Sequence, residues 1–247
     1  MLNYIHSELY RTFHRAYTYV LIGVAALLGV LALTLFLPYK NQVDSTLSMY
    51  EVLGLCVPIA FFFTYMCETM LSDCAFGDDC KHQTLKNTIS YGFTRTQVYL
   101  GKLLAQLIVA VLAMVVIYTV LFVAAFVLLG RVDMAVGEVL SWYLGLLLRA
   151  FPIWLAGLSI LNLLHFVLKD SLVNVTYLGL TVLLPFVLTQ FLSRSWAFLQ
   201  PVLPYLMMNM MTDIAQVSLQ WPWIIGLGWT AVTTALGVAL FARKEIR

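Results

Sequence analysis

The chain has 247 residues, of which 62% are hydrophobic and 11% charged, with a mean hydropathy of +0.91. Soluble domains carry about 25% charged residues, so a water-soluble globule of this length is excluded. The net charge of +2 gives no sign of a nucleic-acid partner; in so apolar a chain the placement of charges informs and their sum does not.

In chain order, residues 1–16 come first. Leu2, Ile5, Leu9, Phe13 and Ala16 recur at helical spacing, while Asn3, Glu8, Arg11, His14 and Arg15 fall elsewhere on the turn. This pattern predicts an amphipathic helix lying in the membrane plane, anchored to lipid, with a basic face open to a cytoplasmic partner. No small-residue cleavage pattern follows it, so residues 17–37 are expected to stay as the first span.

Further apolar stretches occupy 52–71, 103–130, 143–168, 172–192 and 222–242. Each reaches the roughly 20 residues that a helix needs to cross about 30 Å of hydrocarbon. Backbone polar groups find no partners in lipid, and the runs lack the dyad alternation of a membrane barrel, so they must be helices. The expected fold is all-α, a single transmembrane domain of six spans with both termini on one side.

Between the second and third spans lies the longest cytoplasmic piece, 72–102, too small to house a nucleotide site. A short helix is predicted from about His82 to Tyr91, ended by Gly92. The next start signal is strong: Thr94 as N-cap, Gln97 closing a capping box, and Phe93 set against Val98 as a hydrophobic staple. The third helix then runs from about Arg95 to Leu129, on the order of 50 Å at 1.5 Å per residue, so part of it stands outside the hydrocarbon. Outside, residues 193–221 carry Phe198, Leu199, Val202, Leu203, Leu206, Met207 and Ile214, broken by Pro201 and Pro204. That composition predicts short helices re-entering the outer leaflet.

Basic residues orient the spans. With the amino terminus inside, ten fall on the cytoplasmic side (Arg11, Arg15, Lys81, Lys86, Arg95, Lys102, Lys169, Arg243, Lys244 and Arg247) and three outside (Lys40, Arg131 and Arg194). The positive-inside rule therefore puts both termini in the cytoplasm. Trp142, Trp196, Trp221 and Trp223 then sit at the outer boundary, where indoles anchor. Cys74 and Cys80 fall in the cytoplasmic loop and Cys56 and Cys67 in the second span, a reducing placement that predicts free thiols.

Most chemical motifs fail. There is no Gly-x-x-x-x-Gly-Lys-Ser/Thr loop, so a nucleotide triphosphate would have to be held by another chain. Ser159 and His165 are six residues apart on one helix, about 240° of rotation, which excludes a peptidase dyad between them. Cys74, Cys80 and His82 with Asp73, Asp78 and Asp79 match no zinc spacing and read as a solvated hairpin. Met207, Met208, Met210 and Met211 read as gap fillers and not as copper(I) ligands. Asn174-Val175-Thr176 spells a glycosylation sequon at a cytoplasmic helix end, out of reach of a lumenal transferase. Glu68 and Arg149 are charged residues inside spans; Arg149 is placed to snorkel and Glu68 to stay wet near the interface, with an intramembrane polar site or an interhelical contact as the alternative.

The stretch Thr84 to Leu104, TLKNTISYGFTRTQVYLGKLL, resembles the cytoplasmic signature of ABC-2-type permeases, the membrane subunits of type V-fold ABC exporters. That family has a short coupling helix between spans two and three, then a Ser/Thr-Arg step and a Gly-Lys pair; here these fall on Thr88 to Tyr91, Thr94-Arg95 and Gly101-Lys102. An amphipathic connecting helix, six spans and a re-entrant hairpin between spans five and six complete the likeness, which covers essentially the whole chain. The compact size is similar to bacterial permeases exporting lantibiotics, bacteriocins or other antimicrobial peptides. The resemblance implies a non-enzymatic permease subunit in the bacterial cell membrane, without a cofactor of its own. Its implied partners are two ATPase subunits holding ATP and Mg, a second permease copy, identical or related, membrane lipids, and a peptide or other amphipathic substrate. It also implies that Leu85 and Ile89 face an ATPase groove, with Thr84, Lys86, Asn87, Thr88 and Arg95 around them. The rival readings are a non-transporting membrane scaffold or immunity protein, and a self-contained channel.

Overall fold

In a computed structural model, which describes residues 2–40, 48–82, 85–130, 135–192 and 200–243, the chain is helical, with no strand among the described residues. α1 (Leu2–Phe13) stops where Arg15 turns to extended backbone, and α2 (Ala16–Thr34) starts afresh from it. A single turn, α3 (Leu37–Lys40), follows. α4 (Met49–His82) is joined to the short α5 (Leu85–Ser90) and the long α6 (Arg95–Leu129). α7 (Val136–Val167) then leads into α8 (Asp170–Leu178). Beyond α8 the helix widens into a π turn at Gly179–Leu183, recovers as α9 (Leu184–Val187) and widens again at Leu188–Leu192. Pro185, which has no N–H to give, lies between the two π turns. A 3-10 turn (Leu203–Tyr205), α10 (Met207–Thr212) and α11 (Gln220–Arg243) complete the chain.

Among the described residues, six helices are long and apolar enough to cross a membrane, over Ala16–Thr34, Met49–Phe76, Arg95–Leu129, Val136–Val167, Ser171–Phe191 and Gln220–Arg243. This is the pattern of a multi-pass membrane protein. Large apolar side chains such as Leu27, Val115, Leu183 and Leu236 stand exposed on the helix surfaces, as lipid contact requires.

Two expectations are corrected. Residues 72–76 are not a solvated hairpin: α4 continues through them, and Ser72, Cys74, Ala75 and Phe76 are buried. Packing of α1, α6 and α7 around this extension removes it from water, which a loop-like composition of Asp, Cys and Gly conceals. Cys56, Cys67 and Cys74 are free thiols on α4, while the side chain of Cys80 is outside the described residues. On α1, the most buried residues are Tyr4, Glu8 and Thr12, and not the apolar set, of which Leu2 is exposed.

Three packed regions hold the helices. The largest joins α4, α6 and α7 through Phe61, Tyr65, Tyr118, Tyr143 and Trp154, and takes in Met207, Met210 and Met211 of α10. These methionines fill the core, as soft unbranched side chains do. A second, near the start of α1, gathers Tyr4, Phe76, Val98, Tyr99, Phe166 and Phe241. In the third, Ala110 and Ala113 of α6 meet Leu21 of α2, small residues letting helices approach closely. α11 lies along α7: Gly226 sits against the backbone of Pro152, and Thr233 shares a 2.8 Å hydrogen bond with Ser159.

Candidate functional site

The predicted start of the third helix is present. Thr94 accepts from the Gln97 N–H at 3.3 Å, and the Gln97 side chain accepts from the Thr94 N–H at 3.0 Å, a reciprocal capping box. Gly92 closes α5 at φ +92°, a backbone angle that favours glycine. Phe93 packs on the Tyr4 ring, with 5.3 Å between centroids, in the same cluster as Val98.

At this end of the bundle the charges converge. Lys102 is 1% exposed, and its Nζ lies 3.2 Å from Glu8 Oε2, 3.1 Å from the Ala75 carbonyl and 4.7 Å from the centre of the Phe76 ring. Arg11 donates to Glu8 at 2.6 Å and to the Ala75 carbonyl at 3.0 Å, and Arg15 donates to the Cys74 carbonyl. α1, α4 and α6 are thus joined through one carboxylate and two main-chain oxygens. Gly101 makes the approach possible, since a Cβ there would run into the Tyr4 ring.

The same end carries a second polar group of residues. His165 stacks on Phe76 at 4.4 Å and lies 3.8 Å from Asp73, which also accepts from Asn174 at 3.0 Å. Ser159 bonds Ala156 and Thr233, so it meets no His165, as the helical spacing predicts.

Deeper in the bundle, Glu68 of α4 is 2% exposed. Its Oε2 accepts the Tyr177 hydroxyl of α8 at 2.9 Å, while its Oε1 is buried with no hydrogen-bond partner among the described residues. Gly157 of α7 completes the wall: a Cβ there would overlap the Glu68 carboxylate, the Tyr177 hydroxyl and the Tyr65 ring. Tyr65 in turn points its hydroxyl at the Met207 sulfur, 3.5 Å away.

Of the residues singled out from sequence, Glu68 and Arg149 are not brought together. Arg149 is half-buried on α7, and the eight residues from it to Gly157 correspond to about 12 Å of helix. Arg95 donates to the carbonyls of Phe241 at 3.2 Å and Ala242 at 2.6 Å, holding the last turn of α11; a cation there complements the helix dipole. Ile89 packs on the cluster of Val98 and Phe76, and Thr88 is half-buried. Thr84 lies outside the described residues, as do the side chains of Leu85, Lys86 and Asn87.

Sequence reasoning missed Glu8, the residue that Lys102 faces, because a carboxylate among basic residues on an amphipathic helix reads as solvated. The available signal was Tyr4, Glu8 and Thr12 at four-residue spacing, a stripe in its own right. It also missed Tyr177 and Gly157, whose relation to Glu68 spans three helices. No family model matches the chain, and no curated protein matches it in sequence.

Proposed function

We propose that the chain is the permease subunit of an ATP-driven exporter of the ABC-2 type, set in a bacterial cell membrane with both termini in the cytoplasm. Two separate ATPase subunits dock beneath α5 and hold ATP and Mg. A second permease copy, identical or related, completes the path for a peptide or other amphipathic substrate. In this reading α1 is the connecting helix in the membrane plane, α5 the coupling helix, and the 3-10 turn with α10 the re-entrant outer hairpin.

The observation that carries the reading is the join between α5 and α6. A six-residue helix ends at a positive-φ glycine and is followed at once by a 35-residue helix that runs from a capping box to Gly130 without a break. A push on α5 would pass into a rod as long as the membrane is thick. A passive scaffold has no use for such a rod. The same rod is clamped to α1 through Lys102 and to α11 through Arg95, so its displacement would move the first and last helices with it. This biases the inward-open against the outward state.

The test is an affinity pull-down of the tagged chain from gently solubilised native membranes, followed by mass spectrometry. A stoichiometric P-loop ATPase that is lost with Leu85→Asp, while membrane insertion is retained, is the expected result. Recovery of the chain alone, in a detergent where other transporter complexes survive, would turn the reading to a scaffold or a self-contained channel.

A further inference from the structure

Glu68 is a carboxyl inside the bundle with no cation beside it among the described residues. On its own helix the nearby titratable groups are Tyr65 and Cys67, on α6 Tyr118, and on α8 Tyr177; α7 presents Gly157 and α10 Met207 beside Tyr65. The charged groups of α1 and α6 stand elsewhere: Arg11 and Lys102 meet α4 at the Ala75 carbonyl and Arg15 meets it at Cys74. That level is six or seven residues along α4, about 10 Å away. His165 of α7 is at Asp73, near which Tyr17 of α2 also lies. Arg149, as above, is far on the other side.

A bare carboxylate so placed, with one oxygen holding a single hydrogen bond and the other none, carries the full cost of a desolvated charge. The same geometry suits a neutral acid, whose orphan oxygen is then only an unsatisfied dipole. The walls also decide what ligand fits. Tyr65, Tyr177 and the Gly157 backbone crowd the carboxyl so closely that one added methyl would overlap all three neighbours. On the Gly157 side there is no room for a further ligand, whereas a proton needs none.

Further polar side chains lie along the same three helices. Toward the α1 end, Asp73 follows Glu68 by five residues on α4, His165 follows Gly157 on α7, and Asn174 precedes Tyr177 by one turn on α8. Asp73 is the open member, its side chain 39% exposed. We propose that Glu68 is a proton-binding site between α4, α7 and α8, loaded and emptied through Asp73, so that parting these helices is tied to loss of the proton. In the release step the O–H bond of the Glu68 acid breaks, a water admitted between the helices carries the proton to the Asp73 carboxylate, and Glu68 is left as a hydrated carboxylate. No electron changes hands. The proposal does not depend on the exporter reading, since it concerns this chain's own residues.

Infrared difference spectroscopy of the full chain in lipid nanodiscs tests it, with wild type compared with Glu68→Gln. The expected result is a carbonyl band of a protonated acid at neutral pH that is absent from Glu68→Gln, fades reversibly as pH rises, and exchanges with deuterium at least tenfold more slowly in Asp73→Asn. Tyr177→Phe keeps the carboxyl and removes the donor that favours its charged form, so the fading should move to higher pH. Absence of any wild-type band beyond that of Glu68→Gln, or a band that persists unchanged at all pH values, overturns the proton site; exchange unaltered in Asp73→Asn overturns the route. Because Tyr177→Phe retains Glu68, failure of Glu68→Gln to fold leaves its pH response as the deciding measurement, and an unmoved midpoint counts against the site.

Discussion

Lys102 shows how little a residue's type says about its role. In sequence it is one basic residue among ten on the expected cytoplasmic side, and in the structure it is buried against Glu8, the Ala75 carbonyl and the Phe76 ring. Removing Lys102 takes one of two cations from the buried Glu8 carboxylate, Arg11 being the other, so the loss falls short of the ~3–5 kcal/mol for breaking an isolated buried pair. Lys102→Ala should therefore lower the thermal midpoint of the purified chain, and should lower it less once Glu8→Gln has removed the carboxylate that the ammonium meets. A double-mutant cycle on melting curves checks this: strictly additive effects would mean that the two residues do not interact. Surface lysines whose role is only topological should show no such coupling.

At the scale of elements, the junction of α5 and α6 rests on local chemistry that needs no tertiary help. The Thr94 hydroxyl and the Gln97 amide satisfy N–H groups that a helix start leaves open, and Gly92 takes a left-handed angle without a side-chain penalty. Thr94→Ala should cost about 1 kcal/mol. Amide exchange at Arg95 to Val98 should then quicken several-fold, with amides in the far half of α6 unchanged; uniform quickening along α6 would show that the cap is not a local device. By contrast, the extension of α4 beyond the expected span depends on its neighbours. Ser72 to Phe76 are helical, and all but Asp73 are buried, because α1, α6 and α7 surround them. Composition alone, with three aspartates and two cysteines over 73–80, reads as a loop.

For the whole molecule, the arrangement of six apolar helices leaves open which end faces the cytoplasm, and the basic residues argue for the end carrying α1. Tyr91 is 84% exposed at that end, and Ser218 is exposed in the segment between α10 and α11. In a cysteine-free background, Tyr91→Cys should react with an impermeant maleimide only after the cells are opened, and Ser218→Cys should react in intact cells. The opposite pattern would reverse the topology and, with it, the placing of α5 beneath the membrane.

The number and approximate positions of the apolar helices, the capping box at Thr94 and the glycine stop at Gly92 were all determined by sequence. Each depends on hydropathy or on hydrogen bonds between residues a few positions apart. The pairing of Glu8 with Lys102, the Arg95 clasp on α11, the burial of Ser72, Cys74, Ala75 and Phe76, and the enclosure of Glu68 by Tyr177 and Gly157 were decided only by tertiary structure. All four need groups from separate helices to meet. A span that is apolar all round carries no mark of which face meets lipid and which meets protein. A polar residue's meaning changes with that choice: left in water Glu8 would be a solvated charge, and against Lys102 it is one half of a clamp.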